Sequence, residues 1–196
     1  MSIDTQLFEG KLIRLAPIDH EKDPEVESRW THDLTLSRAL SRKPAMPQSV
    51  VQIKKKYEAI EKEVEEAKNI FHFTIRSKED GRLLGYIRIE GIEWNHGTGS
   101  LKLAIGDPAE RGKGFGSEAL QCMLQFAFNE LNLHRMSAVV GEDTPGALRF
   151  FVKHGFVEEV RRRKALLRDG QVWVSIHLGI LQREWLDLSK ERVDHE

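Results

Sequence analysis

The chain has a single cysteine, no apolar run of membrane-spanning length and almost no net charge, and each shortage removes a class of function. Cys122 alone excludes an internal disulfide and fits a reducing compartment. No stretch approaches the roughly 20 apolar residues of a bilayer-crossing helix. The first residues, MSIDTQLFEGK, lack the charged-then-apolar pattern of a secretory signal. A soluble, cytoplasmic protein without a membrane partner is expected. Thirty Lys and Arg stand against 31 Asp and Glu, a formal charge of -1, so no basic field draws the chain to nucleic acid. The eight histidines include no i,i+3 or i,i+4 pair, and no metal constellation is visible.

What is present is ordinary for a folded domain: 196 residues, 40% hydrophobic and 31% charged. No repeat, low-complexity linker or composition break divides the chain, so residues 1–196 are expected to form one domain. The stretch KLIRLAPI alternates and predicts a first strand ending at Pro17. An irregular helical region surrounds Trp30. Ser49 with Gln52 predicts a capping box, after which Ile53, Tyr57, Ile60, Val64 and Ala67 trace one helical face. Lys54–Glu58 and Lys62–Glu66 are the i,i+4 pairs of its solvated side.

Two strands, IFHFTIRS and RLLGYIRIEGIEW, flank a turn at Glu79-Asp80-Gly81. SLKLAI is a strand with Leu101, Leu103 and Ile105 on one side, and 117–131 is a helix facing inward through Leu120, Leu124, Ala127, Phe128 and Leu131. HRMSAVV is the next strand. Strand, helix, strand at this length predicts parallel neighbours joined by a right-handed crossover. Thr144 and Pro145 start a short helix that Gly155 ends. RDGQ turns a hairpin into a last strand, in which Val172, Val174, Ile176, Leu178 and Ile180 alternate. The fold class is mixed α/β (α+β), mostly antiparallel with one parallel pair.

One loop asks for more than a connector. ERGKGFGSEALQ carries Gly112, Gly114 and Gly116 at alternate positions, after the carboxyl end of a strand and before a helix. Free N–H groups and the helix dipole attract anions there, and glycines let the backbone close on a phosphate. A dinucleotide fingerprint would need glycine where Ser117 stands, and a Walker loop would need different spacing around Gly112-Lys113. The pattern Arg111-Gly112-Lys113-Gly114-Phe115-Gly116 resembles instead the pyrophosphate loop of the GNAT acetyltransferases. The stretches LAIGDPAERGKGFGSEAL, LNLHRMSAVV and ALRFFVKHGF resemble the family in order and spacing, over about residues 10–186. WVSIHLGILQREW is similar to the branch of ribosomal-protein N-terminal and spermidine acetyltransferases.

That resemblance implies a GNAT fold with a splayed strand pair, and acetyl-coenzyme A as cosubstrate without a metal. The backbone of Arg111, Gly112, Lys113, Gly114, Phe115, Gly116 and Ser117 would hold the pyrophosphate, and Leu103, Ala104 and Ile105 would run beside the pantetheine arm. Ile105 would offer a backbone oxyanion donor, and Thr144, Ala147 and Phe151 would complete the coenzyme site. Three positions depart from the family pattern. Thr144 replaces a frequent asparagine, Phe151 a tyrosine taken as the acid for the leaving thiolate, and Ser100 a frequent glutamate. Candidates for a base, direct or through water, are Glu90, Glu93 and His96; each can equally be a solvated strand-end residue.

Cys122 fits a core cysteine better than a nucleophile. Arg161-Arg162-Arg163-Lys164 reads as a solvated edge, with docking of an acidic group as the alternative. Trp173, Ser175 and His177 share a strand face that an acceptor pocket could use, although sheet packing explains Trp173 equally well. The resemblance implies transfer of acetyl to a primary amine (a peptide N-terminus, a polyamine or another small amine) by direct attack in a ternary complex. A catalytically weakened coenzyme A sensor is the alternative, with Phe151 as its support. A homodimer is the assembly relatives lead one to expect.

Overall fold

The structure, a computed structural model, describes residues 7–41 and 44–193. Seven strands form one sheet: β1 Ile13–Ala16, β2 Phe71–Ser77, β3 Leu83–Glu93, β4 Thr98–Ile105, β5 Arg135–Gly141, β6 Val157–Arg168 and β7 Gln171–Leu181. Their order is β1-β2-β3-β4-β5-β7-β6, antiparallel throughout except for β4 with β5. Among the described residues six α-helices surround the sheet: α1 Asp23–Trp30, α2 Leu34–Leu40, α3 Val50–Ala67, α4 Phe115–Gln125, α5 Pro145–Lys153 and α6 Gln182–Val193.

Strand alternation decides which face each side chain serves. On β3 and β4, Ile87, Ile89 and Leu101 are buried and face α4, whose Ala119, Leu120 and Met123 are fully buried. These residues join β5 and β7 in the main core, where Met136, Ala138, Ile176, Leu178 and Ile180 show no exposure. The other face carries His72, Tyr86, Arg88, Glu90 and Lys102, and α1–α3 roof it around a second small core of Ile53, Tyr57 and Ile60. The roof helix α3 begins as expected. Ser49 Oγ accepts from Gln52 N–H while Gln52 Oε1 accepts from Ser49 N–H.

Several boundaries differ from the sequence-based expectation. The first strand covers only Ile13–Ala16, and the Trp30 region resolves into two helices. The helix expected over 117–131 starts two residues earlier and changes at Phe126–Glu130 into a π turn. Phe126, Ala127 and Phe128 in this wider turn are all buried, continuing the run that Cys122, Met123 and Leu124 begin in the α-helical part. On α3, Lys62 and Glu66 meet at 3.7 Å, whereas Lys54 and Glu58 form no ion pair. Thr144 stands before α5 but does not cap it with its side chain. Its hydroxyl donates to Gly141 O at 2.8 Å, closing the turn that leads out of β5. The carboxyl end of α5 is closed by backbone bonds, Phe156 N–H to Phe151 O and Gly155 N–H to Val152 O, a Schellman arrangement.

The parallel pair β4–β5 is short. Thr98, Gly99 and Ser100 register with Arg135, Met136 and Ser137, and beyond Ser100 the two strands separate. That separation opens the middle of the sheet toward the loop after β4.

Candidate active site

The loop begins at the end of β4 and is fixed before it reaches the glycines. Arg111 Nε donates to Ile105 O at 3.0 Å, and its terminal nitrogen donates to Gly106 O at 2.8 Å and to Asp33 Oδ2 at 2.6 Å. Asp33 is also the N-cap of α2, accepting from the amides of Thr35 and Leu36. One guanidinium thus ties loop, strand end and roof together, and its fork geometry suits that bridging. Gly106 is required by packing, since a Cβ there would stand 2.0 Å from the indole of Trp30. Glu110, almost buried, is held by Arg82 at 3.0 Å and Lys113 at 3.1 Å, and these cations keep its carboxyl below its ordinary range.

Gly112 and Gly114 then adopt φ of +80° and +94°, a region costly for residues with a Cβ. Gly114 is the N-cap of α4 and supplies no side-chain cap. The helical ladder starts with Glu118 N–H to Gly114 O, so the amides of Phe115, Gly116 and Ser117 point out of the helix start uncapped by a side chain. A Cβ on Gly112 would meet nothing within 4 Å, so backbone conformation, not crowding, selects glycine there. Glu118 locks the helix in place from below. Its carboxylate accepts from the amides of Lys11, Leu12 and Ile13 at 2.7, 2.7 and 2.8 Å.

Ladder alternation sets the direction of the β4 peptide groups. Gly106 N–H bonds Leu84 O, so Gly106 and, two residues back, Ala104 face β3, while the peptide groups of Leu103 and Ile105 face the gap toward β5. Ile105 O is occupied by Arg111, which leaves its N–H directed at the opening. On the α4 side, Leu103 and Ile105 line the approach to Gly116 together with Phe150. Ala147 and Phe151 belong to α5 on the same side. Phe151 is only 7% exposed and packs its ring edge-on against Phe150 and Phe156.

The gap widens into a cavity of about 400 Å³ whose walls include Ser100, Leu101, Val139, Gly141 and Ser175. The tip of the β6–β7 hairpin closes it: Arg168 donates to Asp143 at 2.5 Å and to Arg38 O at 2.7 Å, while Arg38 grips Asp169 through two bonds of 2.6 and 2.7 Å. A second cavity of about 640 Å³ lies between the polar face of the sheet and the α1–α3 roof. Its floor is His72, Tyr86, Arg88, Glu90, Lys102 and Ala104, and its roof includes Trp30, Leu36 and Met46.

Glu90 lines both cavities. It stands across the ladder from Ser100, with Lys102 Nζ at 2.5 Å from one oxygen and Arg88 Nε at 3.0 Å from the other. Glu93 and His96 lie elsewhere. Glu93 pairs with Thr98 at the opposite end of β4 from the loop, and exposed His96 occupies the β3–β4 turn beside Asn95. The seven steps along the eight residues of β4 from Thr98 to Ile105 put both about 23 Å from the loop along the strand. The three candidate bases are therefore not brought together, and Glu90 alone reaches the cavities.

Inside the larger cavity, burial and the nearby Arg88 and Lys56 push His72 down to about 4. The ring stacks on Tyr86 with centroids 5.4 Å apart. Tyr86 is pushed up by burial and holds its proton throughout the neutral range. Glu27, nearly buried, accepts from Tyr57 Oη at 2.5 Å and from Lys56. Sequence reasoning missed this polar face. The period-2 pattern at 86, 88 and 90 marks it, but the same pattern describes a solvated sheet face. Cys122 sits in the core, and burial pushes its thiol up to about 11. The basic run 161–164 is exposed on β6, the edge strand, with Arg161 held by Glu142 and Glu158. No group of three or more metal-ligating side chains occurs among the described residues, and none of their helices is long and apolar enough to cross a membrane.

Comparison with known proteins agrees with this geometry. The chain is 37% identical over 107 residues to a probable N-acetyltransferase, YjcK, of Bacillus subtilis, covering 53% of this chain and 56% of that protein. It is 28% identical over 108 residues to the spermidine N(1)-acetyltransferase of Vibrio cholerae, covering 55% and 62%. The chain thus spans about half the length of these curated relatives. Among solved structures, the spermidine N-acetyltransferase of Vibrio cholerae in complex with CoA and spermine superposes with a TM-score of 0.76 at 19% identity, over 90% of this chain and 99% of that one. A family model described as an acetyltransferase (GNAT) domain matches residues 13–157, and the chain belongs to that family.

Proposed function

We propose that the protein transfers acetyl from acetyl-coenzyme A to a primary amine by direct attack within a ternary complex. The observation that carries this is the unplugged N-terminus of α4, with Gly112 and Gly114 at positive φ, placed where β4 and β5 separate. The outward amides of Phe115 to Ser117 and the positive helix end suit a pyrophosphate. Lys113 and Arg111 differ in role: the first is exposed beside the loop, the second braces it from behind. A pantetheine arm leaving the loop has the free peptide groups of Leu103 and Ile105 to pair with, and the Ile105 N–H is aimed where a tetrahedral oxyanion would form. Thr144, Ala147 and Phe151 flank this side, Thr144 with its hydroxyl already engaged.

An amine with a pKa near 10 must lose a proton before it attacks. Glu90 is the group placed for that work, reaching both cavities across the ladder from Ser100. The carboxylate that relatives frequently carry at the Ser100 position is thereby supplied from the neighbouring strand. The departing thiolate has no tyrosine at Phe151, and the positive end of α5, which begins at Pro145, and water are left to stabilise it. A weakened coenzyme A-binding module is the second reading, favoured by Phe151 and by the two cations on Glu90.

The test is a panel of primary amines with acetyl-coenzyme A, read by thiol release, beside calorimetric titration with coenzyme A. Binding with turnover of at least one amine is the expected result. Tight coenzyme A binding with no turnover on any amine would leave the sensor standing, and no binding would remove both.

A further inference from the structure

The two cavities share an electrostatic property that no single element announces. Among the described residues, their walls hold two carboxylates, Glu27 and Glu90, and five lysines or arginines. All four carboxylate oxygens are occupied. Lys56 and the Tyr57 hydroxyl take those of Glu27, and Lys102 and Arg88 take those of Glu90. Arg38, Arg168 and Arg88 are themselves held by Asp169, Asp143 and Glu63, which do not line the cavities. The arginines are thus neutralised from outside, and since every carboxylate oxygen already has a partner, Glu90 can share its remaining lone pairs with one incoming ammonium but the walls hold no unpartnered carboxylate for a second. The roof opposite this floor sets an apolar patch of Trp30, Leu36, Leu40 and Met46 beside polar Thr31, Gln48 and Gln52.

A polyamine carries several ammonium groups along one chain. To enter, it would have to displace a lysine or arginine from its carboxylate or lie against like charge, and like-charge juxtaposition is a strong ground for rejection. An amine with one nitrogen meets Glu90 once, loses its charge on reaction, and leaves its apolar body against the roof. We infer that the acceptor carries a single amine on an apolar body with no second cationic nitrogen, and that the site discriminates against polyamines. The inference rests on the acetyltransferase reading above and narrows its substrate class.

The experiment titrates leucine amide, phenethylamine, spermidine and spermine into the full chain, with and without coenzyme A, and compares their kcat/KM with acetyl-coenzyme A. The monoamines are expected to bind and react at least about tenfold better than either polyamine. Equal or better use of spermidine or spermine overturns the inference, and so does failure of both monoamines to bind. If coenzyme A itself does not bind, the acetyltransferase reading falls, and amine binding to the unloaded chain still decides the charge preference. Lys102→Met supplies a second reading, since Lys102 is 45% exposed and its loss strips Glu90 of one cation without disturbing the core. The ratio of spermidine to leucine amide use should rise several-fold in that variant; an unchanged ratio removes the electrostatic basis.

Discussion

The glycine loop and the roofed polar face meet at one end of the sheet but are built by opposite means. The loop is a dozen consecutive residues whose distinctive features lie in the backbone: positive φ at two glycines and a helix start without a side-chain cap. The polar face draws its side chains from β2, β3 and β4 and its roof from three helices, so its residues are scattered over 76 positions from Glu27 to Lys102 and beyond. A site made of backbone is written in local composition. A site made of side chains from many elements becomes visible only when the register is known.

The largest effect should come from the backbone site. Gly114→Val forces a β-branched residue to φ near +94°, which costs about 1–3 kcal/mol or removes the conformation altogether. Coenzyme A affinity should fall by roughly 100-fold or more, equivalent to about 2.7 kcal/mol, while the fold survives. Calorimetric titration alongside circular dichroism reads both; a folded variant with native affinity would contradict the role given to the loop.

On the side-chain site, Glu90→Gln should lower kcat about 10²-fold with little change in coenzyme A affinity, the size expected of a lost general base. Glu93→Gln and His96→Ala, at the far end of β4, should leave kcat within about twofold, as remote surface changes do. Steady-state kinetics on the three variants tests whether the cavities alone define the reacting centre.

A third comparison sets the roofed face against solvent. His72 is neutral in the fold down to about pH 4 but titrates near 6.5 when unfolded. The unfolded chain therefore binds the extra proton between those values, and stability must rise with pH through that window and level off above it. His72→Gln should remove about 1–3 kcal/mol of this dependence between pH 6.5 and 4, measurable in urea unfolding curves at several pH values. Curves that move in parallel for both proteins would place the imidazole in water instead.

The smallest effect is expected at Phe151. Its ring is buried between two other phenylalanines, so the hydroxyl of Phe151→Tyr needs a partner that the packing does not display. A loss of about 1 kcal/mol is expected, with the acetylation rate similar or raised where the hydroxyl reaches the thiolate. Thermal melts and thiol-release assays on the same preparation separate the two contributions.

Legibility in the sequence follows the same division. The capping box at Ser49, the Asp80-Gly81 turn and the glycine pattern of the loop could be read because each depends on neighbours within a few residues, and the parallel partnership of β4 with β5 because the strand-helix-strand order dictates it. The π turn at Phe126–Glu130 could not, because its run of adjacent buried residues is no different in composition from Cys122, Met123 and Leu124 in the regular helix before it. Thr144 misled for a related reason. A hydroxyl before Pro145 has two acceptable uses, and the turn at Gly141 claimed it. Glu90, Glu93 and His96 looked equivalent as strand-end polar residues until the register put one of them at the splay and two at the far hairpin.

The clasp at the hairpin tip has a consequence in time as well as space. Arg168 and Asp169 meet Arg38 across 130 and 131 positions of chain, and Arg168 meets Asp143 across 25. Contacts of such long sequence separation carry the highest loop-closure cost and slow the steps that require them. The wall they build waits for Arg168 and Asp169, whereas the long-range partners that brace the loop and α4, Asp33 and the amides of Lys11, Leu12 and Ile13, precede the loop in the chain. During synthesis the loop and its braces emerge before the hairpin does, so a chain halted before β6 would hold the proposed coenzyme loop without the wall that encloses the chamber beside it.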